Sequence, residues 1–118
     1  MKVGYFDDYS HSALGNQLDF YKRSIEREGH RTKRFINFPE SLPEEIGAFI
    51  LNIDNERLRE DKDKLRRLVD ENLDTTFFII DPLSFIVEDL GPRDNVCYID
   101  LLGNGVIAFN ECLQKASK

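Results

Sequence analysis

The chain has 118 residues, of which 41% are hydrophobic, and this composition fits a single globular domain with its own core. The 22 acidic residues against 16 basic ones give a net charge of −6, which argues against nucleic acid or a membrane surface as a partner. We expect a cytoplasmic protein, because no stretch has the length and apolarity of a membrane span or a signal peptide.

Apolar runs alternate with helical stretches along the chain, which is the pattern of a parallel α/β sheet. The first helical stretch has four apolar residues spaced three or four apart, and Gly29 follows as its C-cap. These residues are Leu14, Leu18, Tyr21 and Ile25. The predicted strands, in chain order, are Lys2–Phe6, Thr32–Ile36, Ala48–Ile53, Thr76–Ile80 and Val96–Leu101.

Further helical segments are predicted after each of the later strands. Pro39 to Ile46 has room for a short helix with Pro43 in its first turn. Glu56 to Leu73 is a charged, amphipathic surface helix, a short segment covers Leu83 to Leu90, and the last helix covers Asn104 to Ala116. Right-handed crossovers then predict one domain over residues 1–118, with a flavodoxin-like five-stranded parallel sheet of order 2-1-3-4-5 and helices on both faces.

Carboxylates follow most of the predicted strands. Asp7 and Asp8 end the first strand, Asp54 ends the third, Asp81 the fourth, and Asp100 lies near the end of the fifth. The carboxyl ends of parallel strands share one edge of the sheet, so these acids are expected to converge there. Clustered carboxylates suit Mg²⁺, although Asp also starts loops and caps helices without binding anything.

This layout resembles a response-regulator receiver domain. The similarity covers nearly the whole chain, and it is carried by the Asp7-Asp8 pair after the first strand and by Asp54 closing the apolar third strand. The resemblance implies that Asp7, Asp8 and Asp54 bind Mg²⁺ and that Asp54 is the phosphoacceptor. It also implies a contact surface at the fourth and fifth strands and the last helix, for a protein partner or for a second copy in a homodimer.

The sequence departs from the receiver pattern in three ways around this site. The Pro and Gly that usually follow the phosphoacceptor are missing from Asn55 to Arg59. Asp81 stands where receivers carry a Ser or Thr, and Asp100 and its neighbours contain no counterpart of the receiver Lys-Pro pair. Additional acids and a missing cation make a bound phosphoryl group less favourable. We therefore predict an atypical, or pseudo-receiver, regulatory domain in signal transduction, and because the chain ends soon after its last helix, a separate protein would read its signal.

Two other functions stay open at this point. The alternative is a small metal-dependent or nucleotide- or flavin-binding α/β protein that uses the same acidic strand-end pocket, beside which the loop from Ser10 to Gln17 enters a helix as phosphate-binding loops do. A purely structural module is the third hypothesis. No Ser or Cys has a recognisable base beside it, so we do not predict an enzyme. Cys97 and Cys112 lie in apolar surroundings without CxxC spacing and are expected to be buried, reduced thiols.

Overall fold

The computed structural model describes residues 1–7, 21–35, 38–52, 55–80, 84–100, 103 and 105–116. The strands are β1 (Lys2–Asp7), β2 (Arg31–Phe35), β3 (Ile46–Asn52), β4 (Thr76–Ile80) and β5 (Val96–Ile99). The helices are α1, described over residues 21–27, α2 (Asn55–Glu71), α3 (Ser84–Leu90) and α4 (Gly105–Ala116). None of the helices in these ranges has the length and apolar character needed to cross a membrane.

The five strands form one sheet of order β2-β1-β3-β4-β5, and every neighbouring pair is parallel. The predicted flavodoxin-like α/β fold is therefore confirmed. Two of the near-continuous apolar runs form the central strands β3 and β4, whose faces are both covered, and Phe77, Phe78 and Ile79 are at most 1% exposed. The third apolar run is β5, which lies at the edge of the sheet, and its first three residues are only half-buried.

Strand ends differ from the predictions by one or two residues. β3 begins at Ile46 rather than Ala48, and β5 ends at Ile99, so that Asp100 follows the strand. The predicted strand ends at Ile36 and Ile53 lie outside the described residues. These shifts leave the order of the sheet unchanged.

The predicted short helix between the second and third strands is wrong for residues 38–45, which contain no helix. Pro39 and Pro43 each lack the backbone N–H that a helix would use. The segment instead turns into β3, and Ile46 N donates a hydrogen bond to Pro43 O at 3.1 Å. The Phe38 ring packs edge-on against Phe6, with 5.7 Å between centroids. An aromatic side chain therefore covers part of the sheet without a helix there.

The sheet separates two hydrophobic clusters. On one face, α2 and α3 bury Leu65, Leu68 and Ile86 against the strands. On the other face, α1 and α4 bury Ile25, Phe109 and their neighbours. The predicted inward positions Tyr21 and Ile25 are buried as expected, whereas Leu14 and Leu18 lie outside the described residues.

Helix α1 ends in a Schellman motif at the predicted C-cap. His30 N donates to Ile25 O at 3.2 Å, and Gly29 N donates to Glu26 O at 3.0 Å. Gly29 has φ of 87°, a left-handed conformation that only glycine adopts without a steric penalty, and no atom lies within 4 Å of the place where a Cβ would stand.

We expect Gly29→Ala to lower the free energy of unfolding by about 1 kcal/mol, because the added Cβ strains the left-handed backbone without meeting any neighbour. Urea denaturation followed by circular dichroism measures this change. Gly29→Asn should cost less, since Asn tolerates the same conformation better than Ala. Equal losses in both variants would contradict the backbone explanation.

Candidate functional site

The carboxyl ends of the strands share one edge of the sheet, as the predicted site requires. Asp7 of β1 lies directly beside Asn52 of β3 in the parallel register, and Ile80 of β4 lies beside Ile99 of β5. All strands point the same way, so the chain leaves β1 and β3 side by side. This edge, defined by Asp7, Asn52, Ile80 and Ile99, is called the carboxyl edge below.

The predicted site residues are described only in part. The backbone of Asp7 is the last residue of β1, but its side chain, together with Asp8, Asp54 and Asp81, lies outside the described residues. In the sequence, Asp54 follows Asn52 by two positions and immediately precedes the first residue of α2. The register brings together the strand ends that carry these acids, and the convergence of the carboxylates themselves stays a prediction.

Asp100 begins a tight turn, and among the five predicted strand-end acids it is the one whose backbone and side chain are both described. Its side chain is exposed, and its main-chain oxygen accepts a hydrogen bond from Gly103 N at 3.2 Å. A Cβ on Gly105 would lie 2.7 Å from that same oxygen, so the turn into α4 needs glycine at this position. These contacts support the loop-forming role that Asp commonly has after a strand.

The donor chemistry of the predicted carboxylates fits Mg²⁺, which takes one or two carboxylates and keeps several waters. The residues with described side chains contain no group of three or more His, Cys, Asp or Glu side chains placed to bind a metal ion. The site that the resemblance implies at the carboxyl edge would use Asp7, Asp8 and Asp54, and of these three residues only the backbone of Asp7 is described.

Cys97 and Cys112 are both free, which agrees with the prediction of reduced thiols. Both are half-buried, so the prediction that they are buried is only partly correct. They lie on β5 and α4 and pack against the α1/α4 cluster. Burial, followed by a hydrogen bond with the Cys112 thiol, raises the pKa of Cys97 from 9.0 to about 12. The spacing of 15 residues in the sequence did not predict that the two thiols meet.

Cavities lined by described residues lie away from the carboxyl edge. One of about 150 Å³ lies between α1 and α4, beside Ser24 and Leu113, and is smaller than typical small-molecule sites. Two shallow grooves of about 340 and 370 Å³ share the exposed Leu73 at the opposite edge of the sheet.

Comparison of the chain with models of known protein families, with curated proteins and with solved structures found no match.

Proposed function

We propose that this chain is a receiver-like regulatory domain that acts through contacts with other proteins and takes its input at the carboxyl edge. The observation that carries the proposal is the parallel register that sets Asp7 beside Asn52, because receiver chemistry requires the ends of these two strands to be neighbours. In the proposal, Asp7 and Asp8 bind Mg²⁺ together with Asp54.

Asp54 would accept a phosphoryl group on a carboxylate oxygen. That oxygen attacks phosphorus, the bond to the phosphodonor's leaving group breaks, and the leaving group departs with the bonding electron pair. A bound Mg²⁺ would offset the negative charge of the transferring oxygens. Asp81 and Asp100 add negative charge near this edge, so we propose that the cation is the stronger input and the phosphoryl group the weaker one.

Amide NMR during titration with Mg²⁺, followed by beryllofluoride, tests the proposal. We expect Mg²⁺ to shift the amides at the ends of β1 and β3, and beryllofluoride to extend those shifts into α2. Asp54→Asn should remove the beryllofluoride response, and the double variant Asp7→Asn, Asp8→Asn should remove the Mg²⁺ response. Asp74→Asn is the matched control, because this exposed acid lies at the opposite edge of the sheet.

The responses also separate the alternatives. A Mg²⁺ response without a beryllofluoride response would favour a metal-binding protein over a phosphoacceptor. No response to either reagent would contradict the proposal and favour a structural module whose acids only begin loops.

A further inference from the structure

The positive charge of this acidic protein is concentrated around β2. Residues 21–35 contain six Lys or Arg and two Glu, a net charge of +4. Since the whole chain carries −6, the remainder carries −10. The basic residues are Lys22, Arg23 and Arg27 of α1 and Arg31, Lys33 and Arg34 of β2, and we call the three on β2 the basic edge.

Most of these cations are exposed and lack a partner within the described part of the chain. Arg23, Arg27, Arg31, Lys33 and Arg34 are exposed, and no ion pair links any of them to another described residue. Elsewhere, Arg66 and Arg93 pair with Asp89 and Asp70 at 2.9 and 3.0 Å.

Glu45 forms its ion pair with Lys2, at 3.6 Å, and not with a cation of the basic edge. A main-chain hydrogen bond, and then the nearby charges of Lys2 and Lys33, lower the pKa of Glu45. Lys33 itself lies over the Phe35 ring, with its Nζ 5.4 Å from the centroid. Within the described residues, the basic edge therefore keeps an excess of positive charge.

β2 is also an edge strand with open main-chain groups. It pairs only with β1 among the described strands, and Arg31 N donates to Met1 O at 3.1 Å. Main-chain groups alternate in direction along a parallel strand, so the N–H and C=O groups of Thr32 and Arg34 point to the open side. Such groups pair readily with an extended segment of another chain.

We propose that the open side of β2 binds an acidic, extended segment of a partner protein, which adds to the sheet as a sixth strand. Glu or Asp side chains on one face of that segment would meet Arg31 and Lys33, and those on the other face would meet Arg34. A second copy of this chain does not fit there, since pairing two β2 strands would place like charges opposite one another.

An acidic protein segment fits the basic edge better than a nucleic acid does. The open N–H and C=O groups complement a peptide strand, which nucleic acid cannot supply, and the −10 carried by the rest of the chain repels a long polyanion. The proposal is independent of Mg²⁺ or phosphoryl chemistry at the carboxyl edge, so it stands or fails separately.

The test uses the intact chain and a short fluorescent peptide of alternating Glu and Thr. We expect binding by fluorescence anisotropy, amide shifts centred on residues 31–35, and slower hydrogen exchange at Thr32 and Arg34. The double variant Arg31→Glu, Lys33→Glu should weaken binding by about ten-fold or more. The control Lys62→Glu, Arg67→Glu makes the same charge change at exposed positions of α2 and should change binding by less than about two-fold.

A second pair of variants tests strand pairing apart from charge. Thr32→Pro removes an outward N–H and should weaken binding, whereas Thr32→Val keeps that N–H and should bind like the parent. Because Thr32→Pro could disturb folding, a peptide of alternating Glu and Pro offers the same test on the unaltered protein and should bind weakly. Equal binding of the two acidic peptides, amide shifts outside residues 31–35, or tighter binding of oligothymidylate would overturn the proposal.

Discussion

Phe109→Ala should lower the free energy of unfolding by about 3–5 kcal/mol, which is a large share of the stability of an ordinary domain. Phe109 is 1% exposed. Its ring contacts Tyr21 of α1, with 4.4 Å between centroids, and Phe78 of β4, with 5.1 Å between centroids in an edge-on arrangement. The substitution would leave a cavity between two helices and the sheet, and it would also remove both ring contacts.

Chemical denaturation followed by circular dichroism measures this loss. Ile107→Ala is the matched control on the same helix, because Ile107 is 61% exposed and its truncation should change stability by no more than about 0.5 kcal/mol. Phe109→Leu should fall between the two, since it keeps most of the apolar volume. If Phe109→Ala and Ile107→Ala lose similar stability, the aromatic cluster does not hold α4 on the sheet.

The parts of the fold that the sequence predicted correctly are those where burial determines the pattern. The run ending at Ile80 is apolar because both faces of this central strand are covered and exclude water, and the spacing of Tyr21 and Ile25 indicates a single buried helix face. Strand order followed from the alternation of strands and helices together with crossover handedness.

Long-range polar contacts were not predictable, because the two partners are far apart in the sequence. Asn95 reads as a turn residue after Arg93 and Asp94, yet it is only 7% exposed. Its side-chain amide donates to Val69 O at 3.1 Å and to Asn72 O at 3.2 Å, so it ties the end of α2 to the start of β5. The preference of Asn for turns does not show that its side chain points inward and donates to the unpaired carbonyl groups at a helix end.

At the candidate site, strand pairing determines where the backbone lies, whereas loop conformation determines where the acidic side chains lie. Parallel pairing alone determines that the chain beyond β1 and β3 emerges at one edge, and the sequence pattern reveals that pairing. Whether Asp8 and Asp54 approach each other depends on loop dihedrals, which hydrophobic periodicity does not report. The sequence alone contains the positive charges of the basic edge. Only the strand order shows that β2 lies at the edge of the described sheet, where its outward N–H and C=O groups can pair with another strand.

Cys97 should react with iodoacetamide at pH 8 more slowly than an ordinary thiol, by about ten-fold or more, since the stronger nucleophilicity of a high-pKa thiolate offsets only part of the loss of thiolate. The thiolate is the reactive species, and burial together with the Cys112 hydrogen bond raises the pKa of Cys97 from 9.0 to about 12. The control is the same residue in the unfolded, reduced chain, where its pKa is ordinary. Peptide mass mapping after timed alkylation assigns the rate to Cys97 separately from Cys112.

The same shift determines the sign of a pH dependence in stability. Folding favours the protonated Cys97 thiol, so its contribution is fully present below about pH 9 and is lost as the pH rises toward about 12. Cys97→Ala should remove that part of the decline, and the difference between the two stability profiles isolates it from the titration of Lys and Tyr. Parallel profiles for the two proteins, or rapid alkylation of folded Cys97, would show that β5 and α4 do not shield this thiol.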